Sequence, residues 1–325
     1  MGSLGRLPRT PCTPTITCVL PAYNEALNLG QVVPDVLRTA LALSPQVEVI
    51  VVDDGSRDDT ALVMHGLCAA HPQVVYVQLS RNFGKEAALT AGLDAAHGDV
   101  VVLMDADGQH PTARLAEMLT KWQQGADVVY AMRKTRRDQP FVYSNLADLF
   151  YTLINWHSPV RITPHAGDFR LLDRKVVDAL KALPERNRFM KGLYAWVGFQ
   201  TAAVDYEPLA RTAGHSKFGV RGGMSLALTG MLAFSTAPLR LMTWLGLFLA
   251  ITSLGYGLWV VVEYFWLGMA VPGFVTIVAG MMFLSGVQLL GMGILAEYVG
   301  RIYDEVKQRP AYLVAARTGV GLHQP

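Results

Sequence analysis

Two long stretches without a charged residue constrain this chain most. They run from Leu241 to Val262 and from Gly273 to Ala296, and each is long enough to cross about 30 Å of hydrocarbon as a helix. Buried helices of soluble domains rarely continue past about 20 residues without a charge. The composition agrees, because 51% of the residues are hydrophobic and only 17% are charged. We therefore predict two transmembrane helices within residues 239–298.

Basic residues around these stretches predict how the pair is oriented. Lys and Arg precede the first stretch and follow the second, whereas the connection from Glu263 to Pro272 has neither. Since such residues collect on the cytoplasmic side, both ends are expected there. Residues 222–238 are almost uncharged but broken by Gly and Thr, which predicts a helix in the membrane interface. Close helix packing or a homo-oligomer is favoured by Gly280, Gly286, Gly291 and Gly293.

Residues 15–221 alternate apolar strand-like runs with helical patterns. The first four runs are Thr15 to Leu20, Val47 to Val52, Val74 to Leu79 and Val100 to Met104. This alternation predicts an α/β domain with a mostly parallel sheet and helices on both faces. Right-handed crossovers then place the loops after all four strands at one edge. We predict that residues 1–14 are a disordered lead-in and residues 299–325 a cytoplasmic tail.

The fourth strand-like run leads directly into two carboxylates, Asp105 and Asp107, with Gln109 close behind. Ligands of open α/β sheets collect beyond the carboxyl ends of the strands. Oxygen side chains at this spacing suit one hard divalent cation. The pattern therefore indicates metal-assisted phosphate chemistry, although Asp and Gly in this order are equally typical of a plain turn.

Further charged segments are candidate site residues. Residues 133–137 contain four cations in five positions, which fits either a solvated loop or a phosphate-binding loop. Asp168 is either a paired structural carboxylate or part of the site. Arg211 and Lys217 flank a flexible turn, as a clamp on an anionic ligand requires. The net charge of +2 gives no reason to expect nucleic acid, and three cysteines without CxxC spacing fit a reducing cytosol.

Taken together, the motifs resemble family 2 glycosyltransferases, in particular the polyisoprenyl-phosphate group that includes bactoprenol glucosyl transferases and dolichyl-phosphate mannose synthases. The resemblance covers nearly the whole chain. It is carried, in order, by PAYNE, VDDGS, RNFGKEAALTAGL, MDADGQHP, GDFRLL, ARTAGHSKF, the paired apolar stretches and EYVGRIYDEVKQRP. It implies a GT-A type, Rossmann-like fold.

The resemblance also implies an inverting, metal-dependent hexosyltransferase in the cytoplasmic (inner) membrane. A nucleotide sugar, with UDP-glucose favoured, would be the donor, and a polyprenyl phosphate, with undecaprenyl phosphate favoured, the acceptor. Mg²⁺ or Mn²⁺ would be held by Asp105, Asp107 and Gln109. The implied donor-binding residues are Pro21, Tyr23, Glu25, Asp53, Asp54, Lys85 and Asp105. The implied catalytic residues are Asp107, Asp168, Arg211 and Lys217, and the acceptor-binding residues are Arg133, Arg136, Arg137 and Ser216.

Two other functions remain open at this point. A processive polysaccharide synthase would be expected to have further membrane helices and a QxxRW-type motif, and Trp196 follows Leu-Tyr-Ala instead. A non-catalytic, membrane-anchored nucleotide-sugar sensor has no evident need for both a metal triad and a second cationic loop. The sequence therefore favours the transferase.

Overall fold

A computed structural model describes residues 9, 13–133, 166–207, 209, 237–267 and 273–322. The first part of the chain contains β1 (Ile16–Ala22), α1 (Ala26–Leu41), β2 (Val47–Asp53), α2 (Thr60–Ala70), β3 (Val74–Leu79), α3 (Lys85–Ala95), β4 (Val100–Leu103), α4 (Arg114–Gln123) and β5 (Val128–Arg133). The later described elements are β6 (Ala166–Asp173), α5 (Arg174–Ala182), α6 (Met190–Trp196), β7 (Thr201–Tyr206), α7 (Ala237–Leu267), α8 (Phe274–Val306) and β8 (Val314–Thr318).

The strands form one sheet in the order β7-β5-β6-β4-β1-β2-β3-β8. Strands β1 to β4 pair in parallel, which confirms the prediction of a mostly parallel sheet. Their C-terminal ends therefore lie together, at Ala22, Asp53, Leu79 and Leu103. We call this the carboxyl edge. Strands β6 and β8 add antiparallel pairs to β4 and β3.

The central strands are continuous apolar runs because both faces of the sheet are covered. All residues of β2 and β4 are buried. Alternate side chains enter two separate clusters, with Val102 in the one that contains α1 and α4, and Val101 in the one that contains α3 and α5. Each fully buried side chain of this size contributes about 1.5–3 kcal/mol. The loops of the carboxyl edge are therefore anchored to strands that are tightly packed on both faces.

Strand β6 lies between β4 and β5 and was not predicted as a strand. The helix that follows it, α5, is Arg174–Ala182. In the sheet, Leu103 of β4 is opposite Arg170 of β6. Because the two strands run in opposite directions, Asp168 lies just beyond the end of β4. This register brings Asp168 to the carboxyl edge.

Helices α7 and α8 contain the two predicted apolar stretches. The segments Leu241–Val260 and Ala279–Val306 are long and apolar enough to cross a membrane, with hydropathies of 1.6 and 1.7. Their large apolar side chains are exposed along the length of both helices, which in water would be unfavourable over so large an area. Helix α8 continues beyond the predicted end of the second stretch, to Val306.

The chain after α8 returns to the sheet, within the region predicted as a tail. Strand β8 pairs with β3 so that Val314 lies opposite Leu79. Before it, the hydroxyl of Tyr312 donates to Asp94 Oδ2 at 2.8 Å. Since Leu79 ends β3, a short segment connects the C-terminal end of α8 to the carboxyl edge. Within the predicted lead-in, Arg9 pairs with Asp127 and Asp173 at the other edge of the sheet.

Candidate active site

Asp53 is the last residue of β2 and is completely buried. Its carboxylate accepts a hydrogen bond from the Tyr76 hydroxyl at 2.6 Å and another from the backbone N–H of Ser56 at 2.8 Å. Burial and the bond to Asp53 raise the pKa of Tyr76, so the phenol stays protonated and remains the donor. A buried carboxylate with such partners is satisfied in place. Asp53 therefore fixes the shape of the loop after β2.

Asp54 ties that loop to the one after β3. The backbone N–H groups of Phe83 and Gly84 donate to its two oxygens at 2.7 and 2.9 Å. Burial raises the pKa of Asp54, against the lowering effect of these two bonds. The two loops press together at Gly55, whose φ is +68° and where a Cβ would collide with the backbone of Arg81. Only glycine combines this φ with so close an approach.

The loop after β1 interlocks with the same structure. Asn24 has a φ of 53°, in the left-handed region, and its side-chain oxygen accepts from the backbone N–H of Arg57 at 2.7 Å. Its own N–H donates to Ser56 Oγ at 2.8 Å. Asparagine tolerates this backbone conformation better than most residues. The predicted donor-binding residues carried by this part of the chain are Pro21, Tyr23 and Glu25.

The segment after β4 is a compact turn that begins with the predicted metal ligands. The backbone N–H of Gln109 donates to Asp107 Oδ1, and that of Asp105 donates to His110 Nδ1, both at 3.0 Å. His110 is buried and stacks on Phe169, with ring centroids 4.9 Å apart. Burial lowers the pKa of His110, so the neutral ring accepts at Nδ1. Sequence analysis did not single out His110, although its place in MDADGQHP is the signal for this role.

Lys85, the first residue of α3, pairs with one carboxylate after β4 and with another on β6. Its Nζ lies 2.6 Å from Asp105 Oδ1 and 2.7 Å from Asp168 Oδ2. Lys191 Nζ lies 3.8 Å from the other oxygen of Asp168. Burial would lower the pKa of Lys85, but the charges of Asp168 and Asp105 outweigh it and raise that pKa. Conversely, burial would raise the pKa of Asp168, but Lys85 and Lys191 hold it well below its usual range.

Glu86 is a further acidic residue that sequence analysis missed. Its Oε2 accepts a hydrogen bond from the backbone N–H of Met190, the first residue of α6, at 3.2 Å. Burial, followed by the nearby charge of Asp168, raises the pKa of Glu86 to about 7. Lys85 and Lys191 only partly offset this. The carboxyl edge therefore holds a carboxyl group that titrates near neutral pH.

The remaining predicted residues are placed only in part. Arg133 is the last residue of β5, opposite Tyr206 of β7. The other four predicted cations and the predicted serine lie outside the described residues: Arg136, Arg137, Arg211, Ser216 and Lys217. Within the described part, the carboxyl edge contains the predicted donor residues, the two aspartates predicted to bind a metal and Asp168.

Two family models match the chain in the order that the fold suggests. Glycosyl transferase family 2 matches residues 17–181, and the GtrB C-terminal hairpin matches residues 237–302. The chain belongs to glycosyl transferase family 2. The first match contains the C-terminal ends of β1 to β4, which form the carboxyl edge, and the second contains α7 and most of α8.

Curated relatives of this family 2 glycosyltransferase are similar over nearly their full length. The chain is 44% identical to the SfII prophage-derived bactoprenol glucosyl transferase of Shigella flexneri, covering 92% of this chain and 97% of the relative. It is 41% identical to the uncharacterized glycosyltransferase sll0501 of Synechocystis, covering 94% and 96%. Among solved structures, the glucosyl-3-phosphoglycerate synthase of Mycobacterium tuberculosis is 20% identical with a TM-score of 0.45, covering 67% of this chain and 78% of that one. That structural likeness is too weak to bear on the chemistry.

Proposed function

We propose that this enzyme transfers a hexosyl group from a nucleotide sugar, with UDP-glucose favoured, to the phosphate of a polyprenyl phosphate, with undecaprenyl phosphate favoured. The observation that carries the proposal is the union, in one chain, of an acidic carboxyl edge with two helices of membrane-spanning length. Relatives named bactoprenol glucosyl transferase match this whole arrangement. The product would be a lipid-linked sugar for modification of cell-envelope glycans.

On the donor side, burial separates residues that shape the pocket from those that touch the ligand. The side chains of Asp53 and Asp54 are 0% and 4% exposed, and loop donors occupy their oxygens. We therefore assign these two to holding the pocket. Tyr23 and Glu25 are only half-buried, and we assign direct contact with the nucleotide to them.

A divalent cation fits the residues at the end of β4. Among the described residues, no group of three or more His, Cys, Asp or Glu side chains is placed to hold a metal by itself. Mg²⁺ is usually bound by one or two carboxylates completed by substrate phosphates, which is what Asp105 and Asp107, with Gln109, would provide. When bound, Mg²⁺ or Mn²⁺ would neutralise charge on the departing nucleoside diphosphate.

The acceptor needs positioning more than activation. A phosphate oxygen is already anionic near neutral pH, so it can attack the anomeric carbon as the bond from that carbon to the nucleoside diphosphate breaks. Attack opposite the leaving group inverts the anomeric carbon and gives a β-linked product from an α-linked donor. No proton has to be removed, which agrees with Asp168 being held as a carboxylate by Lys85 and Lys191. We therefore place Asp168 on the acceptor side and assign it to positioning rather than to general-base catalysis.

We propose further that the active site faces the cytoplasm and that α7 and α8 cross the inner membrane. The support is the absence of Lys and Arg from Glu263 to Pro272, with basic residues outside both stretches. A cysteine placed at Gly268 should react with an impermeant thiol reagent in intact cells. Labelling only after the cells are permeabilised would reverse the assigned orientation.

The function is tested with the purified full-length chain, Mn²⁺, undecaprenyl phosphate and a panel of nucleotide sugars. One of these donors should yield a lipid carrying a single sugar. A polymer would indicate the processive synthase, and tight donor binding without a product would indicate the sensor.

In the same assay, replacing Arg133, Arg136 and Arg137 together by Ala should lower lipid transfer about tenfold or more, since charge-assisted contacts contribute about 1.5–3 kcal/mol each. Nucleotide affinity should be unchanged, and equal losses in both would place this segment on the donor.

A further inference from the structure

Lys85 occupies a position at which a metal-binding carboxylate and an acceptor-side carboxylate share one cation. Its ammonium is within hydrogen-bond distance of both Asp105 and Asp168, at 2.6 and 2.7 Å. Among the described residues, Asp105 forms no ion pair other than the one with Lys85. Asp168, in contrast, has a second cation in Lys191. Asp105 therefore depends on Lys85 for charge compensation, and Asp168 does not.

The backbone at Lys85 is held in place by its neighbours, whereas a lysine side chain can change rotamer without moving that backbone. Gly84, the residue before it, donates its N–H to the buried carboxylate of Asp54 at 2.9 Å, and α3 begins at Lys85 itself. A lysine side chain carries its charge on a flexible four-carbon stem with rotatable donors. The ammonium can thus leave one carboxylate while it keeps the other, without any movement of the main chain.

We propose that Lys85 is a placeholder cation, which compensates Asp105 in the metal-free protein and releases it to an entering divalent cation while remaining on Asp168. This inference rests on the proposed function, because it takes Asp105 as a metal ligand. It assigns Lys85 a positioning role, in place of the direct donor contact that the family resemblance implies. One consequence is that occupation of the metal site strengthens the pairing of Lys85 with the acceptor-side carboxylate.

The proposal predicts opposite changes in two properties of one variant. Lys85→Met removes the competing charge, so Mn²⁺ should bind more tightly, by about fivefold or more for the loss of one nearby positive charge. The same variant should transfer sugar more slowly, because Asp168 and the donor-side carboxylate are no longer held together. A lysine that simply bound donor phosphate would leave the affinity for Mn²⁺ alone unchanged.

The decisive measurement is Mn²⁺ titration of the full-length chain, in nucleotide-free buffer and again with saturating UDP, followed by the electron paramagnetic resonance signal of free Mn²⁺. Lys85→Arg keeps the charge and should stay within about twofold of wild type. The matched control is Lys175→Met, which breaks another lysine–carboxylate pair, with Asp127 at 2.7 Å, at the opposite edge of the sheet; its affinity should equal that of wild type. If Lys85→Met does not fold, Lys85→Gln keeps hydrogen-bond donors without the charge and carries the same expectation.

The outcomes separate this inference from the proposed function. Equal or weaker Mn²⁺ binding by Lys85→Met, with normal binding by wild type, overturns the placeholder role alone. No Mn²⁺ binding by wild type, with or without UDP, overturns the metal assignment on which the inference rests. Thermal unfolding, compared between EDTA and excess Mn²⁺ in separate samples, gives an independent readout: Mn²⁺ should raise the midpoint of Lys85→Met by more than it raises that of wild type.

Discussion

Two pairs of aspartates lie on the same carboxyl edge but are compensated by different kinds of partner. Asp53 and Asp54 are buried and accept hydrogen bonds from a phenol and from backbone N–H groups. Asp105 and Asp168 share the ammonium of a lysine. Backbone donors cannot leave their positions, whereas a lysine can exchange one carboxylate for another. The first pair is therefore suited to building the site and the second to changing its state during a reaction.

The two pairs are also connected through the chain. One of the two backbone N–H groups that donate to Asp54 belongs to Gly84, and the next residue is Lys85. A fixed carboxylate thus anchors the backbone from which the movable cation extends. The acidic motifs VDDGS and MDADG are equally conspicuous in the sequence, yet the aspartates of the first are suited to building the site and Asp105 of the second to changing its state.

The largest expected effect comes from Asp105→Asn, which tests the exchangeable pair. Transfer should fall by about 10² or more, as for other losses of a group that stabilises the transition state, and EDTA should do the same to wild type. Stability should hardly change, because Lys85 keeps Asp168 as its partner. A radiolabelled sugar-transfer assay and a thermal unfolding curve measure the two properties. Full activity in metal-free buffer would show that the end of β4 has no metal role.

The same substitution in the other pair should have a different consequence. Asp54→Asn places an amide NH₂ against a backbone N–H of Phe83 or Gly84 and leaves a buried donor unsatisfied. We expect a loss of about 2 kcal/mol or more in the free energy of unfolding. Asp35→Asn is a matched control, since Asp35 is exposed on α1 and pairs only with Arg38 of the same helix turn among the described residues. Unfolding midpoints of the two variants give the difference, and equal midpoints would contradict the distinction between the pairs.

Much of the fold follows from local sequence pattern. The runs Val47 to Val52 and Val100 to Met104 predict buried parallel strands because both faces of such strands are apolar, and the structure confirms a mostly parallel sheet. Strands β6 and β8 were missed for a physical reason. Each is defined by an antiparallel partner far away in the chain, and β8 is an exposed edge strand without a clear apolar alternation.

The site was predictable as a set of residue types but not as a network. Acidic residues directly after apolar runs pointed to the carboxyl edge, and Asp105 lies there. No local pattern reveals that Lys85 would reach both Asp105 and Asp168, because that contact depends on the register of β6 against β4. The burial of Glu86 under the start of α6 depends likewise on packing between elements separated by about a hundred residues.

The smallest expected effect concerns Glu86, which resembles neither aspartate pair. Its side chain accepts a hydrogen bond from the backbone N–H of Met190, and the charges of Asp168, Lys85 and Lys191 lie nearby. Because burial raises its pKa from 4.5 to about 7, the folded protein binds a proton more readily there than the unfolded chain does. The free energy of unfolding should therefore fall as the pH rises from about 4.5 to about 7.

Glu86→Gln removes this ionisation and should abolish that part of the pH dependence. Relative to wild type, the variant should gain on the order of 1 kcal/mol or more between pH 5.5 and pH 8, since one pKa unit corresponds to about 1.4 kcal/mol. Thermal unfolding of both proteins at the two pH values measures the gain. Glu117→Gln provides the control, because Glu117 is exposed on α4 and pairs with Arg114. If Glu86→Gln and wild type change in parallel between the two pH values, Glu86 titrates as an ordinary surface carboxylate.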